Sequence, residues 1–242
     1  MPSPTVELVA QSPSGVEVAA TLGIPRVELC CALELGGLSP SEALLRRSVS
    51  AGRAGPAPVE VHPLIRARPG DFVFDEAELD LMVDDVAHAV AAGAAGVVVG
   101  ALDARGMPDL PFVERVLEAA AGAEVTFHRA LDASADPVRA YEQLAGVGLT
   151  RVLTSGGRPT ALEGRETLRA LVALGLSTQV MAGSGVTAAN VRAIADTGVD
   201  AVHLSAKRRV GGGGLAMGGS DDGGHDVTDA AAARALLDAL SG

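Results

Sequence analysis

The sequence predicts a single (β/α)8 TIM barrel that extends over residues 1–242. Short segments in which apolar and polar residues alternate are typical of strands, whose side chains point to opposite faces in turn. Stretches with helical spacing lie between these segments, and the strand–helix unit recurs eight times with short connections. Because eight such units fit in a chain of 242 residues, a closed parallel barrel is favoured over an open doubly wound sheet.

Eight segments are predicted as strands, and five of them have one apolar and one polar face. The alternation is clearest in Val-Glu-Leu-Cys at 27–30 and Val-Thr-Phe-His at 125–128. In chain order the predicted strands are 6–8, 27–30, 59–62, 96–100, 125–128, 151–154, 179–182 and 202–205. Since helices lie between them, we expect the apolar face to pack outward against helices and the polar face to line the barrel interior.

The intervening segments carry helix start and stop signals. Ser39-Pro40 and Asp136-Pro137 combine a capping residue with proline at the first helical position. Gly93 and Gly148 follow predicted helices, where a left-handed residue ends a helix at little cost. The predicted helices are 14–22, 40–52, 76–92, 109–121, 135–146, 161–174, 187–197 and 228–240.

Strand alternation divides the polar residues into inward-facing and peripheral sets. Arg26 and Arg151 open their strands at the amino-terminal rim and are expected to be solvated, and His203 is expected to be a hydrogen-bonded core histidine. The side chains predicted to point into the barrel are Glu28, Cys30, Glu60, His62, Thr126 and His128. Carboxylates and imidazoles are costly to bury without partners, so this polar interior predicts a site.

The connection at about 211–226 is unusually long and rich in glycine. Its composition is typical of a disordered insert. Its position after the eighth strand, on the face where barrel sites lie, also fits a mobile lid. The sequence leaves both interpretations open.

Bulk composition narrows the classes of function and location. A net charge of −11 argues against a nucleic-acid or membrane-surface binder, both of which need a basic field. No signal peptide or transmembrane segment is recognisable, and the two cysteines are adjacent, so a cytoplasmic location is expected. No Gly-x-Gly-x-x-Gly turn follows the first strand, so no nucleotide cofactor is expected.

Candidate catalytic residues gather at the carboxyl ends of the strands, where barrel enzymes place their sites. Carboxylates and imidazoles suit acid–base work, and guanidinium groups suit the stabilisation of negative charge. The candidates are Glu28, Glu60, His62, His128, Arg66 and Arg129. Since Glu7, Glu28 and Glu60 lie deeper in their strands, a buried ion-pair network with Arg66 or Arg129 is an equally open interpretation.

Small residues at the ends of the last three strands predict an anion site. Glycine and serine let backbone N–H groups approach a ligand, and the segment after strand seven leads into a helix start. Tight turn geometry would explain the same glycines. The candidate anion-binding residues are Thr154, Ser155, Gly156, Gly183, Ser184, Gly185 and Ser205, with Arg66 or Arg129 assisting.

These same segments resemble the signature blocks of the CutC family. The resemblance extends from about Glu7 to Ser205 and includes 36–41, 126–130 and 181–186, with the longest block, His-Pro-Leu-Ile-Arg-Ala-Arg-Pro-Gly-Asp-Phe, at 62–72. It implies a cytoplasmic barrel that forms a homo-oligomer (dimer or tetramer) and a role in copper homeostasis through Cu(I). Cys30, in Glu-Leu-Cys at 28–30, matches the family cysteine. Some relatives carry cysteines at the end of the first strand, where this chain has Leu8, Val9 and Ala10.

Two classes of function follow from these residues. The first is Cu(I) binding through Cys30 with His62 or His128, because Cu(I) prefers thiolate ligands with imidazole as a further donor. The second is a barrel enzyme that acts on a phosphorylated or carboxylated small molecule. The expected partner is therefore a metal ion or a small anion, and the sequence alone assigns no reaction.

Overall fold

A computed structural model describes residues 3–214 and 223–241, and it confirms the (β/α)8 TIM barrel. The barrel strands are β1 Thr5–Ala10, β2 Arg26–Leu29, β3 Glu60–Pro63, β4 Gly96–Val99, β5 Glu124–Phe127, β6 Arg151–Thr154, β7 Gln179–Ala182 and β8 Ala201–Leu204. The helices are α1 Pro13–Leu22, α2 Glu42–Ala54, α3 Glu76–Ala91, α4 Leu110–Ala119, α5 Pro137–Gly146, α6 Arg165–Ala173, α7 Val191–Ala195 and α8 Ala230–Ser241. None of the described helices is long and apolar enough to cross a membrane.

All neighbouring strands of the eight-stranded sheet run parallel, in the order β3-β2-β1-β8-β7-β6-β5-β4. The two outer strands meet at a bridge between Leu64 and Val98, which closes the barrel. Hydrogen bonds from Ile65 N to Val98 O (2.8 Å) and from Ala95 N to Val61 O (3.1 Å) support this seam.

The helix caps follow the sequence signals. Asp75 and Glu78 form a reciprocal capping box at the start of α3, and Asp136 caps α5 through the backbone N–H of Arg139. The helix predicted at 187–197 is shorter than expected, because 187–190 form a turn in which Asn190 accepts a hydrogen bond from Thr187 N.

The apolar faces of the strands pack outward, as predicted. Val27, Leu29 and Phe127 belong to one large core that also contains the helix residues Leu45 and Val113. The opposite faces fill the barrel with side chains. Glu7 lies in register with Arg26 and His203, and Glu28 lies in register with His62.

The expectation that Arg26 and Arg151 are solvated was wrong. Their exposed fractions are 5% and 1%. Arg26 lies two residues before Glu28 and therefore points to the same side of β2, into the barrel. Arg26 bonds Glu7 there, and Arg151 bonds Thr126 and Glu124, so each buried cation has a carboxylate partner.

Beyond β8 the chain forms an antiparallel hairpin of β9 Lys207–Gly211 and β10 Gly224–Thr228. Lys207 Nζ lies 2.6 Å from Asp226 Oδ2 across the hairpin. The glycine-rich segment predicted at 211–226 therefore begins and ends in paired strands. Residues 215–222, on which the choice between lid and insert depends, lie outside the described residues.

Candidate functional site

A cavity of about 510 Å³ opens at the carboxyl ends of the barrel strands. Glu28 and His203 form part of its floor, and Arg66, Phe72 and His128 form part of its wall. Turn residues after β7, from Ser184 to Ala188, line the opposite side together with Ser205, Ala206 and Lys207. The volume suits a small molecule or a hydrated ion.

Glu28 and His203 form part of the floor of this cavity, and the buried Glu7 is bonded to His203. His203 Nδ1 lies 2.8 Å from Glu7 Oε1, and His203 Nε2 lies 3.8 Å from Glu28 Oε2. Arg26 Nε donates to Glu7 Oε2 at 2.5 Å. This is the hydrogen-bonded histidine that the sequence predicted for His203, and its partner Glu7 was not among the predicted site residues.

The pKa values of Glu7 and Glu28 are shifted in opposite directions. Burial alone would raise the pKa of Glu7, but the His203 hydrogen bond and the His203 and Arg26 charges outweigh it and lower that pKa to about 2. Glu28 has weaker compensation, and burial raises its pKa to about 7. Burial lowers the pKa of His203, but Glu28 and Glu7 reverse this and give a net raised pKa. Glu28 therefore changes protonation near neutral pH.

His128 lies in the cavity wall as a neutral imidazole. Its ring centroid is 5.0 Å from that of Phe72, and its Nδ1 accepts a hydrogen bond from Ala130 N at 3.1 Å. Burial, together with the charge of Arg66, lowers its pKa to about 3. Since Nδ1 is an acceptor, the proton of the neutral ring is on Nε2, which is buried and has no hydrogen-bond partner in the described structure.

The two arginines proposed as anion contacts donate hydrogen bonds to other groups of the protein. Arg66 donates to the backbone carbonyls of Leu35, Gly37 and Gly70, and so holds the loops after β2 and β3 together. Arg129 donates to Asp132 Oδ2 at 2.8 Å and to a serine hydroxyl at 3.2 Å. Both arginines still line the cavity. The terminal nitrogens of Arg66 donate to protein carbonyls, whereas its buried Nε has no hydrogen-bond partner in the described structure.

The predicted anion-binding turn after β6 holds a carboxylate that belongs to the chain. The Oδ1 atom of Asp132 accepts from Thr154 Oγ1 (2.5 Å), Ser155 N (2.9 Å) and Gly157 N (2.9 Å). Gly156 has a φ of +71°, which turns the backbone around this group. Thr154, Ser155 and Gly157 thus supply the donors of an anion cradle whose occupant is Asp132, and Gly156 N donates to Thr154 Oγ1 within the same turn.

The other half of the predicted anion site faces the cavity. Ser184, Gly185 and Ser205 line it, and Ser184 has a φ of +79° and donates through Oγ to Pro159 O. Gly183, at the start of this turn, packs closely against Leu153. A Cβ at position 183 would lie only 2.6 Å from that side chain. The structure therefore separates the two predicted halves into an internal cradle after β6 and a cavity-lining turn after β7.

His62 and Glu60 lie toward the amino-terminal end of the barrel. His62 Nε2 is 3.9 Å from Glu60 Oε2 and 4.0 Å from Glu124 Oε2. Glu60 and Glu124 line a second cavity of about 560 Å³ on that side. The imidazole of His62 therefore does not face the carboxyl-terminal cavity, although the sequence placed it with His128.

Cys30 is a buried thiol in an apolar cluster with Val9, Leu64 and Val98. Burial, followed by the nearby Glu28 charge, raises the pKa of its thiol strongly. Cys31 donates instead to the carbonyl of Ser39 at 3.2 Å. Among the described residues, two groups of three ligand-type side chains converge, Glu7–Glu28–His203 and Glu60–His62–Glu124, so the predicted set of Cys30, His62 and His128 is not brought together.

Fold and site together define a parallel barrel with a buried acid–base floor under a ligand-sized cavity. A family model described as the CutC family matches residues 5–208. The chain belongs to the CutC family.

Relatives support this membership along most of the chain. A CutC family protein from Xanthomonas campestris pv. campestris is 46% identical over 207 residues, which cover 84% of this chain and 83% of the relative. A CutC family protein from Xylella fastidiosa is 43% identical over 245 residues, with 98% and 88% coverage.

Two solved structures share the fold, and the first also supports the membership. One named as a copper homeostasis protein CutC, from Streptococcus agalactiae, superposes with a TM-score of 0.77 at 30% identity and covers 83% of this chain and 97% of its own. A thiamine phosphate pyrophosphorylase from Pyrococcus furiosus has a TM-score of 0.61 at 17% identity, with 98% and 95% coverage, and shares the fold alone.

Proposed function

We propose that this chain serves in copper homeostasis in the cytoplasm and takes Cu(I) as cargo through Cys30. The name of the Streptococcus agalactiae relative supports the general role, and Cu(I) prefers sulfur ligands. The environment of Cys30 is the observation that supports Cu(I) binding. Its buried thiol faces the barrel and has no hydrogen-bond partner in the described structure. The adjacent thiol of Cys31 donates to Ser39 O, and Met181 accepts from Arg26 and belongs to a different apolar cluster.

The surroundings of Cys30 favour an exchangeable cargo over a permanently bound ion. The raised thiol pKa means that the ion must displace a proton, so affinity increases with pH. His62 faces the other end of the barrel, and the Nε2 of His128 carries a proton in its present tautomer. Neither predicted imidazole therefore offers a free lone pair near the thiol, and Cys30 remains as the sulfur donor.

Competition with a chromophoric Cu(I) chelator tests this proposal. We expect Cys30→Ser to weaken Cu(I) binding by at least about 100-fold, because the soft ligand is lost. The matched control is Cys31→Ser, which removes the adjacent thiol and should change the affinity little. Equal affinity of the wild type and both variants would mean that copper binds elsewhere.

A second candidate function is acid–base chemistry on a small anionic molecule in the carboxyl-terminal cavity. The observation in its favour is the floor pair: Glu28 has a pKa of about 7, and His203 is 3.8 Å away. A general acid or base works best when its pKa lies near the operating pH. The unpartnered Nε2–H of His128 is suited to donate to an oxygen of a carboxylate or phosphate.

Thermal unfolding in the presence of inorganic phosphate, short carboxylic acids and sugar phosphates tests the second candidate. A ligand that binds the folded state raises the melting temperature by mass action. We expect the shift to disappear in His128→Gln and to persist in the control His88→Gln, since His88 is an exposed imidazole on α3. The absence of any shift at about 20 mM of each ligand would contradict this function.

A further inference from the structure

Three ligand-type side chains converge at the amino-terminal end of the barrel, opposite the cavity discussed above. His62 extends from β3, Glu60 precedes it by two residues on the same face, and Glu124 opens β5. Their nearest ligand atoms are separated by 3.9 Å and 4.0 Å. We propose that Glu60, His62 and Glu124 bind a divalent transition-metal ion of borderline softness, of which Zn²⁺ is the representative.

The imidazole of His62 is the independent sign of a missing ligand. The side chain is fully buried, and neither ring nitrogen has a hydrogen-bond partner in the described structure. An unpaired buried polar group costs about 1–3 kcal/mol, so such groups are rare unless something else satisfies them. Nδ1 faces the space left by Gly96, where a Cβ would lie 2.7 Å away. Nε2 is the nitrogen directed at the two carboxylates.

The distances around His62 favour a metal over direct contacts between the side chains. The separations of 3.9 Å and 4.0 Å between Nε2 and the two carboxylates are too long for hydrogen bonds. An ion placed between the three groups would give each of them a partner, and imidazole nitrogen is a common metal ligand.

The surrounding charges leave one carboxylate without a cation. Arg26 is paired with Glu7, and Arg151 is paired with Glu124 at 2.9 Å. Glu60 has no arginine or lysine partner within 4.0 Å among the residues that the structure covers, and its neighbours there are the His62 imidazole and the Glu124 carboxylate. Arg53, at the rim of the same cavity, donates to the carbonyl of Gly93. An added cation would therefore meet an unpaired negative charge.

The geometry needs only a small contraction to close around an ion. In a tetrahedral zinc site with ligand distances of about 2.0–2.2 Å, neighbouring ligand atoms are about 3.4 Å apart. The side chain of Glu60 is 57% exposed and can move by this amount, whereas Arg151 holds Glu124 in place. The cavity of about 560 Å³ beside the two carboxylates gives solvent access and room for a water ligand. One imidazole nitrogen and two carboxylate oxygens are a donor set that suits Zn²⁺ better than Cu(I).

Zn²⁺ binding to the full chain, measured by isothermal titration calorimetry and by competition with a chromophoric chelator, tests the proposal. We expect one ion per chain in the wild type. Glu60→Gln is the decisive variant, because Glu60 is largely exposed and its replacement does not threaten the fold. We expect it to weaken Zn²⁺ binding by at least about tenfold, and His62→Gln to weaken it by at least about 100-fold.

Two controls separate this site from surface binding and from the copper proposal. His88→Gln removes an exposed imidazole and should bind Zn²⁺ as the wild type does. Cys30→Ser should also leave Zn²⁺ binding unchanged, so failure of the Cu(I) proposal and failure of this one are distinguishable. Unchanged affinity in Glu60→Gln, or no binding by the wild type at about 100 μM Zn²⁺, would overturn the proposal.

Discussion

Glu7 is a fully buried carboxylate that Arg26 and His203 hold in place inside the barrel. Arg26 bonds one of its oxygens and His203 bonds the other. Desolvation opposes ionisation here, and the two partners outweigh it, as the pKa of about 2 shows. The balance depends on all three groups being present, because a buried pair stabilises little by itself but is costly to break.

We expect Glu7→Gln to destabilise the protein by about 3–5 kcal/mol at pH 7, since Arg26 would be left as an uncompensated buried charge. The folded pKa of Glu7 lies below its value of 4.5 in the unfolded chain, so its contribution is present above pH 4.5 and is lost as the pH falls toward 2. Urea unfolding measures the difference in unfolding free energy between the wild type and the variant. This difference should be smaller at pH 3 than at pH 7. Glu17→Gln, at an exposed position of α1, is the control. Equal stability of Glu7→Gln and the wild type at pH 7 would contradict this account.

Glu28 should behave in the opposite way. Its folded pKa of about 7 lies above 4.5, so the folded state is favoured by protonation and loses stability as the pH rises from 4.5 through 7. We expect Glu28→Gln to raise the free energy of unfolding by about 2–3 kcal/mol at pH 8 and to change it little at pH 4.5. Denaturant titrations at the two pH values measure this. If Glu28→Gln were less stable than the wild type at pH 8, the ionised Glu28 carboxylate would have to be stabilised in the folded state.

The sequence predicted which side of each strand faces inward, but not the direction of every side chain. Strand alternation placed Glu28, His62 and His128 inside correctly. The same alternation places Arg26 inside, because Arg26 lies two residues before Glu28 on the same strand. The expectation that the strand begins at a solvated rim led to the wrong prediction for this arginine. The direction of His62 depends on ring packing against Gly96, which lies 34 residues away and has no signal in the local pattern.

At the scale of elements, β4 makes room for its neighbours. A Cβ at Gly96 would lie 2.5 Å from the His62 ring, and a Cβ at Gly100, just after β4, would lie 2.4 Å from the His128 ring. Such distances are shorter than any van der Waals contact. The two glycines of this segment therefore let imidazoles from β3 and β5 fill the barrel at two different heights.

We expect Gly100→Ala to displace the His128 ring and to destabilise the protein by about 1–3 kcal/mol through overpacking. The variant should also lose the hydrogen bond from Ala130 N to Nδ1, because that bond fixes the ring in its present position. Chemical denaturation measures the loss of stability. Gly146→Ala is the matched control, because a Cβ there meets nothing within 4 Å. Equal stability of both variants would mean that the ring moves freely.

The eight barrel strands and their helices were predictable, because five strands alternate and the other three are short runs between segments with helical spacing. The β9–β10 hairpin was not, because glycines surround short strands whose pairing depends on cross-strand contacts such as Lys207 with Asp226. The cradle after β6 was predicted as an anion site, and its ligand was missed. Asp132 lies 22 residues before Thr154, and only the fold brings its carboxylate to that turn.

At the scale of the whole molecule, the closure between β3 and β4 is sparsely bonded. A bridge at Leu64 and Val98 and the hydrogen bonds at Ile65 N and Ala95 N hold it, whereas β1 and β2 pair over four residues. Regions with fewer backbone hydrogen bonds open at lower free energy.

We therefore expect the amides of Ile65 and Ala95 to exchange with deuterium sooner than those that join β1 to β2, such as Cys30 N, which bonds Ala10 O. Native-state hydrogen exchange followed by NMR compares these amides in one sample. Equal protection at both places would show that the barrel opens only as a unit.

The charged interior also connects the two faces of the barrel energetically. Glu7 bonds His203 at the carboxyl-terminal floor, and its charge raises the proton affinity of His62 toward the amino-terminal end. A charge that binds on one face and alters the ionisation of Glu7 therefore changes the affinity for protons or cations on the other face. By thermodynamic reciprocity, binding on the other face changes the affinity on the first face by the same factor. Two openings that lie on opposite sides of a filled barrel therefore need not act independently.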